Sequence, residues 1–133
     1  MHEYAHWQTA TLLRRLGKEA ARAARASDPE TVHDLRVAIR RLNGCLRLFT
    51  GFYASGSRKD LKKGLKKLMK LCAAVRDRDI AMELLAEAGV PPSSAVVRRL
   101  EAERKDAARD LRAALKGWKG ARCARDWRTR LEL

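Results

Sequence analysis

Five side chains between His33 and Arg47 are of types that can hold an anion, and they recur at spacings a helix would align. Arg36, Arg40, Arg41 and Arg47 follow His33 at three, seven, eight and fourteen positions. A helix advances about 100° per residue, so His33, Arg36, Arg40 and Arg47 fall within about 60° of one another. Arg offers a planar fork that meets two phosphate or carboxylate oxygens at once, Lys offers a mobile point charge, and imidazole adds a ring donor. A second set, Lys59, Lys62, Lys63, Lys66, Lys67 and Lys70, is interrupted by a single carboxylate, Asp60. Like charges at i,i+4 destabilise a helix by about 0.2–0.5 kcal/mol per pair. A run of one sign therefore accepts a repulsion that a bound anion would relieve.

Two further basic stripes have the same period. Arg14, Arg15, Lys18, Arg22 and Arg25 lie opposite Leu12, Leu13, Leu16, Ala20 and Ala23. Arg98, Lys105, Arg109, Arg112 and Lys116 lie opposite Val97, Leu100, Leu111, Leu115 and Trp118. Arg104 falls on the apolar side, where it is expected to meet an acidic partner or extend to water. Signals for catalysis are lacking. The carboxylates of Asp77 and Asp79 have no second acidic cluster at a spacing suited to paired acid–base or two-metal chemistry, and no GxxxxGK[ST] loop is present. His2 and His6 stand at i,i+4 without a third ligand, and Cys45, Cys72 and Cys123 form no CxxC pair. The expectation is a binding protein rather than an enzyme, with no cofactor and no metal.

The elements that must position these stripes are delimited by breakers. Ser27-Asp28-Pro29-Glu30 fits a capping box with Ser27 as N-cap; Ser55-Gly56-Ser57 reads as a turn; Gly89-Val90-Pro91-Pro92-Ser93 ends one helix before the next begins. The helices expected are 4–26, 31–54, 58–88 and 94–118, with residues 119–133 either a short fifth helix or a frayed tail. In the second, Leu35, Ala38, Ile39, Leu42, Leu46, Phe49 and Tyr53 make the core stripe; in the third, Leu61, Leu65, Leu68, Leu71, Cys72 and Val75. Residues 1–133 are expected to form one all-α domain, an antiparallel four-helix bundle.

The balance of 30 Lys and Arg against 16 Asp and Glu leaves a formal charge of +14 on 133 residues. Such a field concentrates polyanions, so the first class of partner is polyanionic. No apolar run is long enough to cross a membrane and the start lacks the order of a signal peptide, so a cytoplasmic protein with no membrane partner is expected. Seven aromatic residues, none interleaved with the basic stripes, argue against single-stranded nucleic acid. Binding to a duplex phosphate backbone needs no aromatics and stays open as the alternative.

The string from Val32 to Leu42, Val-His-Asp-Leu-Arg-Val-Ala-Ile-Arg-Arg-Leu, followed by Leu46-Arg47-Leu48-Phe49, closely resembles the signature of the CHAD family, the conserved-histidine α-helical domains. Leu68 to Ile80, ending Val75-Arg76-Asp77-Arg78-Asp79-Ile80, is similar to a second stretch of that family, and the resemblance extends from about Leu13 to Leu115. It implies a helical bundle that binds inorganic polyphosphate through a basic channel or surface. On that resemblance His33, Arg36, Arg40, Arg41 and Arg47 would contact phosphate oxygens, joined more loosely by the lysine run and Arg76; on charge and helical spacing alone, the stripes Arg14, Lys18, Arg22, Arg25 and Lys105, Arg109, Arg112, Lys116 are expected to extend the surface. Asn43 stands where members often carry another basic residue. Typical members are also about twice as long, with two similar halves, so this chain resembles half a domain. Either one bundle is sufficient, or two chains pair as a homodimer about a two-fold axis.

Overall fold

The computed structural model describes residues 1–54 and 56–133 in full, and residue 55 only as the first position of a helix. Among the described residues are five α-helices: α1 (His2–Arg25), α2 (Pro29–Leu48), α3 (Ser55–Glu87), α4 (Ala95–Leu115) and α5 (Gly120–Arg130), with a 3-10 turn at Thr50–Phe52. No helix is long and apolar enough to cross a membrane among the described residues. The fold is all-α, as the composition and period require. Neighbours in sequence pack as neighbours in space, α1 on α2, α2 on α3 and α3 on α4, and α4 returns to α1 to close the bundle. The residue type explains the closure: Leu13, Leu16, Leu35, Ile39, Leu42, Leu46, Leu61, Leu65, Leu68, Leu111 and Leu115 are all fully buried between the helices. Each buried Leu or Ile contributes about 1.5–3 kcal/mol relative to exposure.

The tail is the fifth helix. Gly17 of α1 faces Gly120 at the start of α5 so closely that a Cβ on Gly17 would lie 2.5 Å from the Gly120 carbonyl oxygen. The stacked rings of Trp118 and Trp127, 6.1 Å apart, tie the α4–α5 connection, and Arg130 lies over Trp127 and donates to Asp60 of α3.

Three local expectations are corrected. The N-cap of α2 is Asp28, not Ser27: Pro29 takes the first helical position, and the Ser27 hydroxyl instead donates back to the Ala23 carbonyl at 2.7 Å. The Asp28 carboxylate accepts from Thr31 Oγ1 at 2.8 Å, which with neighbouring backbone donors holds its pKa below the ordinary carboxylate value. The second helix ends at Leu48 rather than near residue 54, because Thr50 and Gly51 are poor helix formers and the Thr50 hydroxyl donates to the Arg47 carbonyl at 2.7 Å. Tyr53 nevertheless reaches the core, its hydroxyl 2.6 Å from Thr9 Oγ1. The third helix starts at Ser55, three residues before the expected 58, so the expected Ser55-Gly56-Ser57 turn is already helical.

Candidate anion-binding groove

α2 and α3 run antiparallel with a groove between them of about 670 Å³, lined by Asn43, Arg47, Lys62, Lys63, Lys66, Met69, Lys70 and Ala73. The sequence explains why these residues meet. On α2, Leu35, Ile39, Leu42 and Leu46 turn inward, leaving Asn43 and Arg47 on the flank toward α3. On α3, the inward stripe of Leu61, Leu65 and Leu68 leaves Lys62, Lys66 and Met69 on the flank toward α2. Among the described lining residues are five cations, one amide and no carboxylate. The ammonium and guanidinium groups can swing over an anion while their alkyl stems cover the floor.

Further along the same flank, Arg36 and Arg76 meet beside Cys72. Burial, then the Arg76 and Arg40 charges, lower the pKa of Arg36. The Arg36 Nε is buried without a hydrogen-bond partner among the described residues. The buried Cys72 thiol next to it is pushed up to about 12 by burial, with the Arg36 charge acting the other way.

His33 does not share the α2–α3 groove. It lines a smaller depression of about 240 Å³ between α1 and α2, with Arg15, Asp34, Val37, Ala38 and Arg41. The 60° arc that gathers the signature on the helical wheel is thus the crest of α2, and its edges slope to two different neighbours. His33, Arg40, Arg41 and Arg47 are all exposed.

The other stripes are placed unevenly. Arg14, Lys18 and Arg25 are exposed on α1, and none of them lines the α1–α2 depression. Arg22 is committed elsewhere: it pairs with Glu19 at 2.8 Å and with Asp34 at 3.4 Å, and Glu19 foremost raises its pKa. Glu19 is buried and also receives Arg15 at 3.2 Å. On α4, which packs on α3 and α1, Lys105, Arg109 and Lys116 are exposed and Arg112 is half-buried, none lining the α2–α3 groove. That stripe mixes signs, with Arg109 paired to Asp106 at 3.3 Å. Lys59 and Lys67 are exposed on α3 outside the groove lining. Asn43, a departure from the family pattern in the sequence, is a lining residue of the groove, and Arg15, given no phosphate role there, lines the depression with His33. Spacing relative to the apolar stripe carries the signal for both, since each flanks a buried position by one residue.

Fold and groove together define a helical bundle whose signature helix presents cations to both neighbours. The sequence model of the CHAD domain matches residues 8–132, nearly the whole chain, and the protein belongs to the CHAD family. No curated protein and no solved structure matches the chain.

Proposed function

We propose that this protein is a non-enzymatic, cytoplasmic polyphosphate-binding module, with the α2–α3 groove as the principal seat of the polymer. The observation that carries this reading is the groove lining, Arg47, Lys62, Lys63, Lys66 and Lys70 with no carboxylate among them. Polyphosphate carries about one charge per phosphate and no bases, so a matching site needs repeated donors and no slot for a ring. Arg36, Arg40 and Arg76 extend the donors along α2 and α3 beyond the groove, and the unpartnered Arg36 Nε supplies a donor whose desolvation cost is already met. The depression with His33, Arg15 and Arg41 lies over the crest of α2, where a long chain that leaves the groove would pass. Family membership supports the same ligand.

Competition at fixed salt between long-chain polyphosphate and duplex DNA of equal charge tests the reading. Polyphosphate is expected to displace DNA, to bind more weakly as salt rises, and to gain affinity with chain length until the donors are spanned. Easy displacement of polyphosphate by DNA would assign the groove to a nucleic-acid backbone, and equal affinity for orthophosphate would refute a polymer site.

A further inference from the structure

α3 changes character along its length. From Arg58 to Lys70 it carries seven cations against Asp60. From Asp79 to Val97 the chain has no Lys or Arg, its longest stretch without either, while Asp79, Glu83 and Glu87 are acidic. This cation-free stretch overhangs the bundle. Arg104 of α4 donates both to the Asp79 carboxylate and to the Ser27 carbonyl, so Asp79 is level with the turn between α1 and α2. Beyond that level the last turns of α3 and the first of α4 run on as a hairpin past the ends of α1 and α2. Ile80, Leu84 and Val96 are consequently left 38%, 59% and 48% exposed.

The overhanging end of α3 is patterned. Ile80, Glu83, Leu84 and Glu87 are spaced i, i+3, i+4 and i+7, which puts two apolar and two acidic side chains on one face. Traced back along the helix, Ile80 and Leu84 fall within about 60° of Ala73, Met69, Lys66 and Lys62, the residues that line the groove. One face of α3 therefore reads basic from Lys62 to Arg76 and acidic-apolar from Ile80 to Glu87. Such a face is complementary to itself when reversed. In an antiparallel pairing centred between Ala74 and Val75, Lys62 stands opposite Glu87, Lys66 opposite Glu83 and Met69 opposite Ile80.

We infer that a second copy of this chain docks here: two copies pair about a two-fold axis, each laying the Ile80–Glu87 end of its α3 into the α2–α3 groove of the other. A two-fold interface uses the same patch on both partners, which a self-complementary face satisfies. Two chains of +14 repel at long range, but at physiological salt that repulsion is screened beyond about 8 Å, whereas the Lys–Glu contacts act at contact distance. The pairing does not rest on polyphosphate being the ligand: a monomeric protein that binds the polymer and a dimeric one that does not are separate results. The corollary that tip and polymer occupy the same lysines in turn does rest on it.

Sedimentation equilibrium of the full chain at physiological salt and tens of micromolar protein tests the inference. The parent is expected at twice its chain mass of 15.0 kDa. Glu83→Lys with Glu87→Lys, and separately Lys62→Glu with Lys66→Glu, are expected to fall to the chain mass with helicity unchanged by circular dichroism. All four substitutions in one chain restore both contacts with signs exchanged, and are expected to restore the double mass. A parent at the chain mass throughout, double variants that keep the double mass, or a folded fourfold variant that stays at the chain mass would each overturn the pairing.

Discussion

Arg36 stands beside Arg76 as a like-charged neighbour, and after burial itself that guanidinium is the strongest influence lowering the Arg36 pKa. The Asp77 carboxylate offsets this only in lesser part, and the Arg36 Nε is buried without a hydrogen-bond partner among the described residues. The ligand-free protein thus carries an electrostatic cost at this point, as sites shaped for a ligand often do. Arg36→Met keeps the apolar stem and removes the charge, so the melting temperature should hold or rise. Combined with Arg40→Ala it should weaken long-chain polyphosphate at least about tenfold, since each charge-assisted hydrogen bond is worth about 1.5–3 kcal/mol. A clear fall in melting temperature with affinity intact, in paired melting and titration experiments, would mean that Arg36 serves the fold.

Two helical glycines should respond oppositely to the same substitution. Gly44 has nothing within 4 Å of an added Cβ, so Gly44→Ala should stabilise by about 0.5–1 kcal/mol through helix propensity alone. At Gly17 the added carbon meets the backbone carbonyl of Gly120, which cannot swing aside as a side chain would. Gly17→Ala should cost about 1–3 kcal/mol. The loss should be concentrated in α5, read as faster amide exchange over residues 120–130. Equal melting shifts for the two variants would contradict the close approach.

The legible and illegible parts of this molecule divide along a physical line. Apolar period located the core: Leu35, Ala38, Ile39, Leu42, Leu46, Phe49 and Tyr53 are all buried. It did so even where helix 2 stops early, because Phe49 and Tyr53 reach inward across the 3-10 turn. Period also says which face of α2 is polar, but not which neighbour that face slopes toward. His33 and Arg47 were grouped on the wheel, yet they line different grooves. Arg22 has the same spacing as Lys18, and the buried Glu19, with Asp34 of α2, separates a committed guanidinium from a free ammonium. A charged residue inside the core is invisible to a rule that places charges outside. Arg104 was the exception, since its position on an apolar face demanded a partner, and Asp79 is that partner.

Arg104 joins three elements: its guanidinium donates to Asp79 on α3 and to the Ser27 carbonyl between α1 and α2. Arg104→Met keeps the stem and strands both acceptors. With the Arg104 and Asp79 side chains 22% and 17% exposed, water can reach them in part, so a loss of about 2–3 kcal/mol is expected rather than the full cost of a broken buried pair. Adding Asp79→Leu should recover part of that loss, because no unpaired carboxylate remains. Purely additive losses in urea unfolding would show that the pair does not hold the overhanging hairpin to the bundle.

Alkaline pH should destabilise the fold through its buried thiols. Burial pushes Cys72 up to about 12 and Cys123 up to about 11, from an ordinary value of 9.0, and it is also the main cause of the raised Tyr53 pKa. Below pH 9.0 a Cys72 thiol is neutral in both folded and unfolded chains and its titration leaves stability unchanged. Above it the unfolded chain ionises first and binds fewer protons than the native state, so stability must fall with rising pH until the folded thiol also ionises. Each such group contributes a slope of about 1.4 kcal/mol per pH unit. Loss of positive charge at high pH acts in the opposite sense, by relieving the self-repulsion of the +14 chain, so the absolute curve mixes both. Cys72→Ala separates them. At neutral pH the variant should be less stable than the parent, because the buried sulfur leaves a void. Between about pH 9 and about pH 11 the deficit should narrow by about 1.4 kcal/mol per unit, since only the parent still loses the thiol contribution. Urea unfolding of parent and variant across that range measures the difference directly. A deficit independent of pH would mean that water or the Arg36 charge lets Cys72 ionise in place, and that the floor beneath the signature arginines is less dry than its burial implies.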